Sequence, residues 1–312
     1  MTVGGTLRDR LRNVHTYAVT PFRDDDLFAI DRDALAANLS FLVDQGVKVV
    51  AVGGGTGECE ALSEAELVTV ASIAVEVLAG RALVMSTVPG NLAGGARLLR
   101  EYERLGVHVA LLMPPLIRGR VPVDLAGTAE YVGALARRTS LALMPYNTQR
   151  WPAEFFARLA EVEQVIGVKD PCEDDQEMFR AIQLLGDRFV WIGNKRHDPG
   201  VVHFRYQMGM EGFTSGMTNF LPEPELLIHE AAVARDWDSV VALQALCAPL
   251  ERARKASDDA AMVKASMDIV GLRGGRVRPP RLDVAPEATE ALRAEIERLL
   301  AQMAELAPEA LV

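Results

Sequence analysis

The sequence predicts an α/β fold: a (β/α)8 TIM barrel with a C-terminal helical extension. Three observations carry this. Short apolar runs recur at a spacing of roughly thirty residues, the period of βα units. Amphipathic stretches with helical periodicity fill the intervals. After Pro222 the strand-like runs stop, and only helical patterns follow.

Taken in order, residues 14–19 form the first apolar run, and residues 31–45 read as the helix that follows it. A strand at 47–52 precedes a helix at 63–79, which Ser63 and Glu66 open as a capping box. Strands are then expected at 82–87 and 107–113, with a helix at 92–105 between them. Further strands fall at 141–146, 165–169, 189–193 and 212–215, with a helix at 174–185. Eight strands with their intervening helices make residues 1–235 the barrel. A doubly wound open sheet shows the same alternation, and counting strands does not separate the two. Helices at 225–235, 239–256, 258–270 and 286–307 place the extension at residues 236–312. The Gly- and Pro-rich stretch 271–280 punctuates it as a loop.

At 312 residues, 49% apolar and 24% charged, the chain has the composition of an ordinary globular protein. Its net charge of −10 disfavours nucleic acid and anionic membranes as partners. No apolar run reaches the ~18 residues of a membrane span. Residues 1–13 lack the apolar core of a signal peptide. Cys59, Cys172 and Cys247 are scattered and form no CxxC, as expected of reduced thiols in the cytoplasm.

Lys169 is the most informative residue. It ends the apolar run Val165-Ile166-Gly167-Val168-Lys169-Asp170. A buried ammonium is costly unless paired, but a desolvated amine can attack a carbonyl to give a Schiff base. The chain has only five lysines, so retaining one at a strand end points to amine chemistry. The competing account is a surface lysine neutralised by Asp170. Lys48 is the control: it starts a strand, whereas barrel chemistry sits at strand C-termini.

Two further strand ends carry candidates. The loop Gly53-Gly54-Gly55-Thr56-Gly57-Glu58 can turn backbone N–H groups toward a carboxylate, or can be a tight turn with no ligand. A dinucleotide fingerprint starting at Gly53 would need glycine where Glu58 stands, and the P-loop ending is absent. Tyr146, in Met144-Pro145-Tyr146-Asn147, can pass a proton, or can be a core tyrosine. The histidines form no HExxH or HxH pattern, and no serine sits in a Gly-x-Ser-x-Gly elbow, so neither a metal site nor a serine hydrolase is expected. Asn194, Lys195, Arg196, His197 and Asp198 follow strand seven and either read substrate hydroxyls or form a solvated loop.

These residues together resemble the dihydrodipicolinate synthase / N-acetylneuraminate lyase superfamily. The resemblance rests on Thr20-Pro21-Phe22, Gly54-Gly55-Thr56-Gly57-Glu58, Tyr146-Asn147, Gly167-Val168-Lys169-Asp170 and Arg278-Pro279-Pro280, in that order. It implies class I aldolase-type chemistry on 2-oxo acids by a homo-oligomer, a tetramer or dimer. It makes Lys169 the Schiff-base lysine, Tyr146 the proton-relay phenol, and Gly55 and Thr56 the carboxylate site. Dihydrodipicolinate synthases have two consecutive threonines where this chain has Gly55-Thr56, and a relay tyrosine where it has 113–117, Met-Pro-Pro-Leu-Ile. Their arginine for the second substrate lies five residues after the strand-five tyrosine; here Arg150 follows Tyr146 by four. Lysine biosynthesis is therefore disfavoured. Pro114-Pro115, Phe213-Thr214-Ser215 and Asn219-Phe220-Leu221-Pro222 look like the 5-dehydro-4-deoxyglucarate dehydratase branch. That branch has an arginine shortly after Tyr-Asn, where Thr148 and Gln149 stand, which leaves Arg118, Arg120, Arg150 or Arg196 for an anionic substrate end.

The expected activity is thus a Schiff-base lyase that dehydrates a sugar-derived 2-oxo acid, with or without decarboxylation. Lys169 and Tyr146 are its catalytic pair, and Gly55, Thr56, Ser215 and Asn194 its substrate contacts. No metal or organic cofactor is needed, since the iminium is itself the electron sink. The alternatives are a pyruvate-dependent aldolase for another aldehyde and a non-catalytic sugar-acid-binding barrel.

Overall fold

Helix and strand alternate along the chain because the apolar runs end in turns, and side-chain caps at Asp31, Ser63, Asn91 and Asp124 open several of the helices that follow. The structure, a computed structural model, describes residues 6–117, 119–120, 123–171 and 174–306. Eight strands form one parallel sheet: β1 (Val14–Tyr17), β2 (Val49–Val52), β3 (Leu83–Val88), β4 (Val109–Leu112), β5 (Ala142–Pro145), β6 (Gly167–Lys169), β7 (Val190–Asn194) and β8 (Gly212–Ser215). Continuous ladders run β5-β4-β3-β2-β1-β8-β7-β6. The remaining gap, β5 to β6, is bridged in parallel by Leu143 with Val165 and by Tyr146 with Lys169. The sheet therefore closes on itself, which decides against the open doubly wound alternative. The two residues singled out for chemistry are the pair that closes it: the Asn147 amide donates to the Lys169 carbonyl at 2.9 Å.

Strands β1, β2, β4, β5 and β6 are shorter than the expected runs; β3 and β7 keep the expected length shifted by one residue, and β8 matches it. Around the barrel lie α2 (Arg32–Asp44), α3 (Glu64–Leu78), α4 (Leu92–Leu105), α5 (Leu125–Ala136), α6 (Ala153–Ala160), α7 (Asp175–Leu185) and α8 (Val202–Met208). The Ser63–Glu66 capping box is present at the start of α3. An apolar layer between helices and strands includes Leu39, Val70, Leu99, Phe156 and Trp191, all buried.

The barrel interior is a second core, built from alternate strand residues: Val49, Ala51, Leu83, Met85, Val109, Leu111, Met144, Val190 and Ile192. It is filled, not a pore, so a ligand can enter only above it, at the strand C-termini. A short helix the sequence does not announce, α1 (Leu7–Leu11), closes the opposite mouth by inserting Leu11 among these residues.

Helices α9 (Pro222–Ala234), α10 (Trp237–Lys255), α11 (Asp259–Ile269) and α12 (Pro286–Leu306) follow the last strand. Helix α9 starts three residues before the expected position because Pro222, with φ preset and no N–H to lose, suits a first helical turn. Val14, Phe213 and Met217 at the barrel's side share a third core with Val240, Leu250, Val263 and Leu292 of these helices. No helix among the described residues is long and apolar enough to cross a membrane.

Candidate active site

Above the filled interior lies a cavity of about 370 Å³ lined by Tyr17, Gly55, Thr56, Tyr146, Lys169, Asn194, Lys195 and Ser215, among others. All six residues singled out as site candidates thus meet at one place, on the ends of β2, β5, β6, β7 and β8.

Lys169 is buried, and its Nζ lies 3.7 Å from the centre of the Tyr17 ring and 4.2 Å from that of Tyr146. Among the described residues no carboxylate pairs with it. The nearest candidate, Asp170, instead accepts from Asn147 Nδ2 at 2.8 Å. Burial holds the Lys169 amine down to about 7. A layer below, His15 is fully buried, its Nε2 2.8 Å from the Leu11 carbonyl, and burial takes its imidazole down to about 4. Lys48, by contrast, is exposed on the other side of β2.

The glycine loop is built for backbone exposure. Gly53 has φ of +62°. A Cβ at Gly54 would fall 2.7 Å from the Tyr17 ring. The Gly55 and Thr56 amides donate to no acceptor among the described residues, and Gly55 faces open space. Such a pair of free N–H groups fits a carboxylate. Behind the loop, buried Glu58 fixes its exit: one carboxylate oxygen lies 2.5 Å from Lys264 Nζ and the other accepts from the Arg278 amide at 2.9 Å. Lys264 Nζ and the Arg278 guanidinium both lie against the Phe22 ring, 4.3 and 4.0 Å from its centre. The motif fragments Phe22, Glu58 and Arg278 are therefore one cluster.

The segment after β7 is partly buried and not the solvated loop that was one expectation. Lys195 Nζ lies 2.7 Å from Glu225, 3.4 Å from Glu251 and 3.4 Å from Ser215 Oγ. His197 Nε2 lies 2.8 Å from the same Glu225 oxygen, and its Nδ1 is 3.0 Å from Gln244 Nε2. Lys195 and His197 overcome the burial of Glu225 and hold its carboxyl down at about 2. Asp198 is exposed beside Arg252.

The cationic wall of the cavity is not where the sequence placed it. Arg120 and Arg150 are exposed and, with Arg196, lie off the cavity; Arg118 lies outside the described residues. Arg254 and Arg281 line it instead, with Lys255. Arg254 Nη1 stands beside the loop, since a Cβ at Gly216 would meet it at 3.6 Å and the Thr56 methyl at 3.9 Å. Arg254 pairs with Glu251 at 3.0 Å, and Arg281 bonds Glu60 and Asp258. These arginines come from beyond residue 250: Arg254 from what reads as an ordinary charged face of α10, and Arg281 from the loop before α12. Tyr17 was also missed, although period-two alternation on β1 puts it on the inner face two residues after His15. Cys59 and Cys247 are free and buried, with Cys59 pushed up to about 12 by burial; Cys172 lies outside the described residues.

The pattern of the dihydrodipicolinate synthetase family matches residues 10–299. A probable 5-dehydro-4-deoxyglucarate dehydratase of Methylobacterium radiotolerans is 34% identical over 281 residues, 88% of this chain and 91% of its own. Another, from Saccharopolyspora erythraea, is 31% identical, covering 86% and 87%. The crystal structure of dihydrodipicolinate synthase from Bacillus clausii superposes with a TM-score of 0.86 over 94% of this chain and 99% of its own, at 22% identity. That of the Oceanobacillus iheyensis dihydrodipicolinate synthase gives 0.85 over 96% and 98%, at 23% identity. The structural likeness, at such identities, speaks to the fold.

Proposed function

Because this chain belongs to the dihydrodipicolinate synthetase family, we propose that it is a Schiff-base lyase dehydrating a sugar-derived 2-oxo acid such as 5-dehydro-4-deoxyglucarate, with or without loss of a carboxylate as CO2. The observation that carries the reading is the Lys169 amine: buried, without an ionic partner among the described residues, and held near 7 at the base of the cavity. The names of the relatives favour dehydration over aldol cleavage and over dihydrodipicolinate synthesis.

In this reading the free amides of Gly55 and Thr56 take the carboxylate next to the ketone, with Arg254 beside them adding charge. The ketone carbon then faces Lys169, whose neutral amine attacks it. Tyr146, bridged to Lys169 across the β5–β6 seam, moves protons to and from the carbonyl oxygen. The iminium withdraws electrons from the neighbouring carbon, so a proton leaves there and hydroxide leaves, as water, one carbon further on. Asn194 and Ser215 orient the substrate hydroxyls. Arg281 serves a second carboxylate, in the place first given to Arg118, Arg120, Arg150 or Arg196. A cytoplasmic homo-oligomer, tetramer or dimer, and a division near residue 235 between barrel and extension, belong to the same proposal.

Borohydride trapping tests it. Reduction in the presence of pyruvate or a 2-oxo sugar diacid is expected to add the ligand's mass to the Lys169 peptide, and to leave Lys169→Ala unlabelled. Folded protein that traps none of these compounds would overturn the catalytic reading in favour of a binding-only barrel.

A further inference from the structure

We propose that Tyr17 is a second proton-relay phenol, working with Tyr146 on the Lys169 amine; this rests on the Schiff-base reading above. Tyr17 stands at the C-terminal end of β1, faces inward and is 4% exposed. Its ring covers Lys169 Nζ at 3.7 Å, against 4.2 Å for Tyr146, so the amine sits between two phenols.

Packing accounts for the ring but not for the oxygen. The Tyr17 hydroxyl is shut off from solvent and has no hydrogen-bond partner among the described residues. An orphaned buried hydroxyl costs stability, and phenylalanine would give the same ring without it. The surroundings are shaped for this side chain nonetheless. Gly54 has no room for a Cβ because the ring passes 2.7 Å from where it would be. The Thr87 hydroxyl, also buried without a partner among the described residues, lies 3.6 Å from that same point. A phenol held unpaired on the ring that covers a reactive amine is a donor and acceptor kept for a group that arrives with the substrate. Burial, and then the charge of Tyr146, raise the Tyr17 phenol well above its ordinary value, so it acts as a neutral donor and acceptor.

The proton balance needs such a path. With the substrate seated and the Tyr17 hydroxyl drawn into a hydrogen bond with the amine, one proton leaves the ammonium Nζ for the Tyr17 oxygen as Tyr17 gives its own to Tyr146, and Tyr146 gives its own to the carbonyl oxygen. The nitrogen pair then forms the N–C bond, and the π pair becomes the hydroxyl's. A second proton follows the same route from nitrogen to that hydroxyl. The C–O bond breaks, water leaves with the pair, and the nitrogen pair forms C=N. Both phenols end unchanged, and the single positive charge passes from ammonium to iminium.

Rapid-quench borohydride trapping with pyruvate, on full-length wild type and Tyr17→Phe, tests this. The variant is expected to melt at or above the wild-type temperature and to reach the same final labelling of Lys169. Its rate of imine formation is expected to fall about 10²-fold, the usual scale of general acid–base assistance. A rate within twofold of wild type would overturn the proposal while leaving the Schiff-base reading intact. Absence of trapping in the wild type would remove both. Replacing Tyr17 by 3-fluorotyrosine, which keeps the shape and acidifies the phenol, is expected to change the rate of imine formation while leaving its pH profile, set by the Lys169 amine, in place. An unchanged rate there would also overturn the proposal.

Discussion

At the scale of single residues, the chemistry depends on what does not surround Lys169. An amine beside Asp170 would have been an ion pair with a raised pKa. The structure turns Asp170 to Asn147 and leaves burial to act alone on the amine. This has an energetic signature whose sign is fixed. The folded-state value near 7 lies below the ordinary 10.5, so the unfolded chain binds a proton that the folded chain resists. Lys169 therefore costs stability fully below pH 7, less and less as pH rises from 7, and nothing above 10.5. At about 1.4 kcal/mol per pK unit, Lys169→Met is expected to stabilise the protein at pH 7 by on the order of 2–4 kcal/mol, while abolishing turnover. Denaturant melts of both proteins at pH 7 and pH 10 check this: the gap narrows at the higher pH. A variant less stable than wild type at pH 7 would mean that the amine is paired in solution. By the same titration, wild-type imine formation should gain rate as pH rises through about 7, where the neutral amine becomes the major form.

At the scale of elements, position follows from short stretches that hold one another. The β5–β6 seam has no continuous ladder, and Tyr146 and Lys169 themselves make the last bridge that closes it. The glycine loop after β2 is held from behind, by Glu58 on Lys264 of α11 and on the Arg278 amide. Removing one member of a buried ion pair commonly costs roughly 3–5 kcal/mol because the other charge is left alone. Glu58→Gln should therefore destabilise the fold by about that much and loosen the Gly55–Thr56 amides, raising KM for the 2-oxo acid more than it lowers kcat. Steady-state kinetics and a thermal melt together check it; an unchanged KM would show that the loop holds its shape without the clamp. Here the limits of the sequence are visible. Strands and most helices were legible because apolar periodicity is a local property, and Lys169, Tyr146 and the glycine loop were legible because each sits at a strand end. The Glu58–Lys264 and Lys195–Glu225 pairs join residues far apart in the chain. Arg254 looks like any solvent-facing helix residue until α10 folds over the cavity. Helix α1 was missed because five residues carry too little periodicity to declare themselves.

At the scale of the whole molecule, the question is whether the C-terminal helices are an appendage or part of what makes the barrel stable and its site complete. The packing argues for the second. Val14 and Phe213, from adjacent strands β1 and β8, and Met217 share a core with Val240, Leu250, Val263 and Leu292. All of them are buried, and each large side chain returned to water costs about 1.5–3 kcal/mol. Few such residues are enough to exhaust the 5–15 kcal/mol stability of a typical fold. The same cut would orphan Glu58 by removing Lys264 of α11, would take Glu251 of α10 from Lys195, and would take Arg254 and Arg281 from the cavity wall. A chain ending at residue 235 is therefore expected to be insoluble, or to keep helical far-UV circular dichroism without a cooperative melt. If instead it melted cooperatively within a few degrees of the full chain, the barrel would be an autonomous domain and the extension a later addition. In that case the nest of Gly55 and Thr56 should still hold a carboxylate, weakly, and Lys169 should still be trapped by pyruvate. The loss would then fall on the larger sugar acid, whose second carboxylate would no longer meet Arg281.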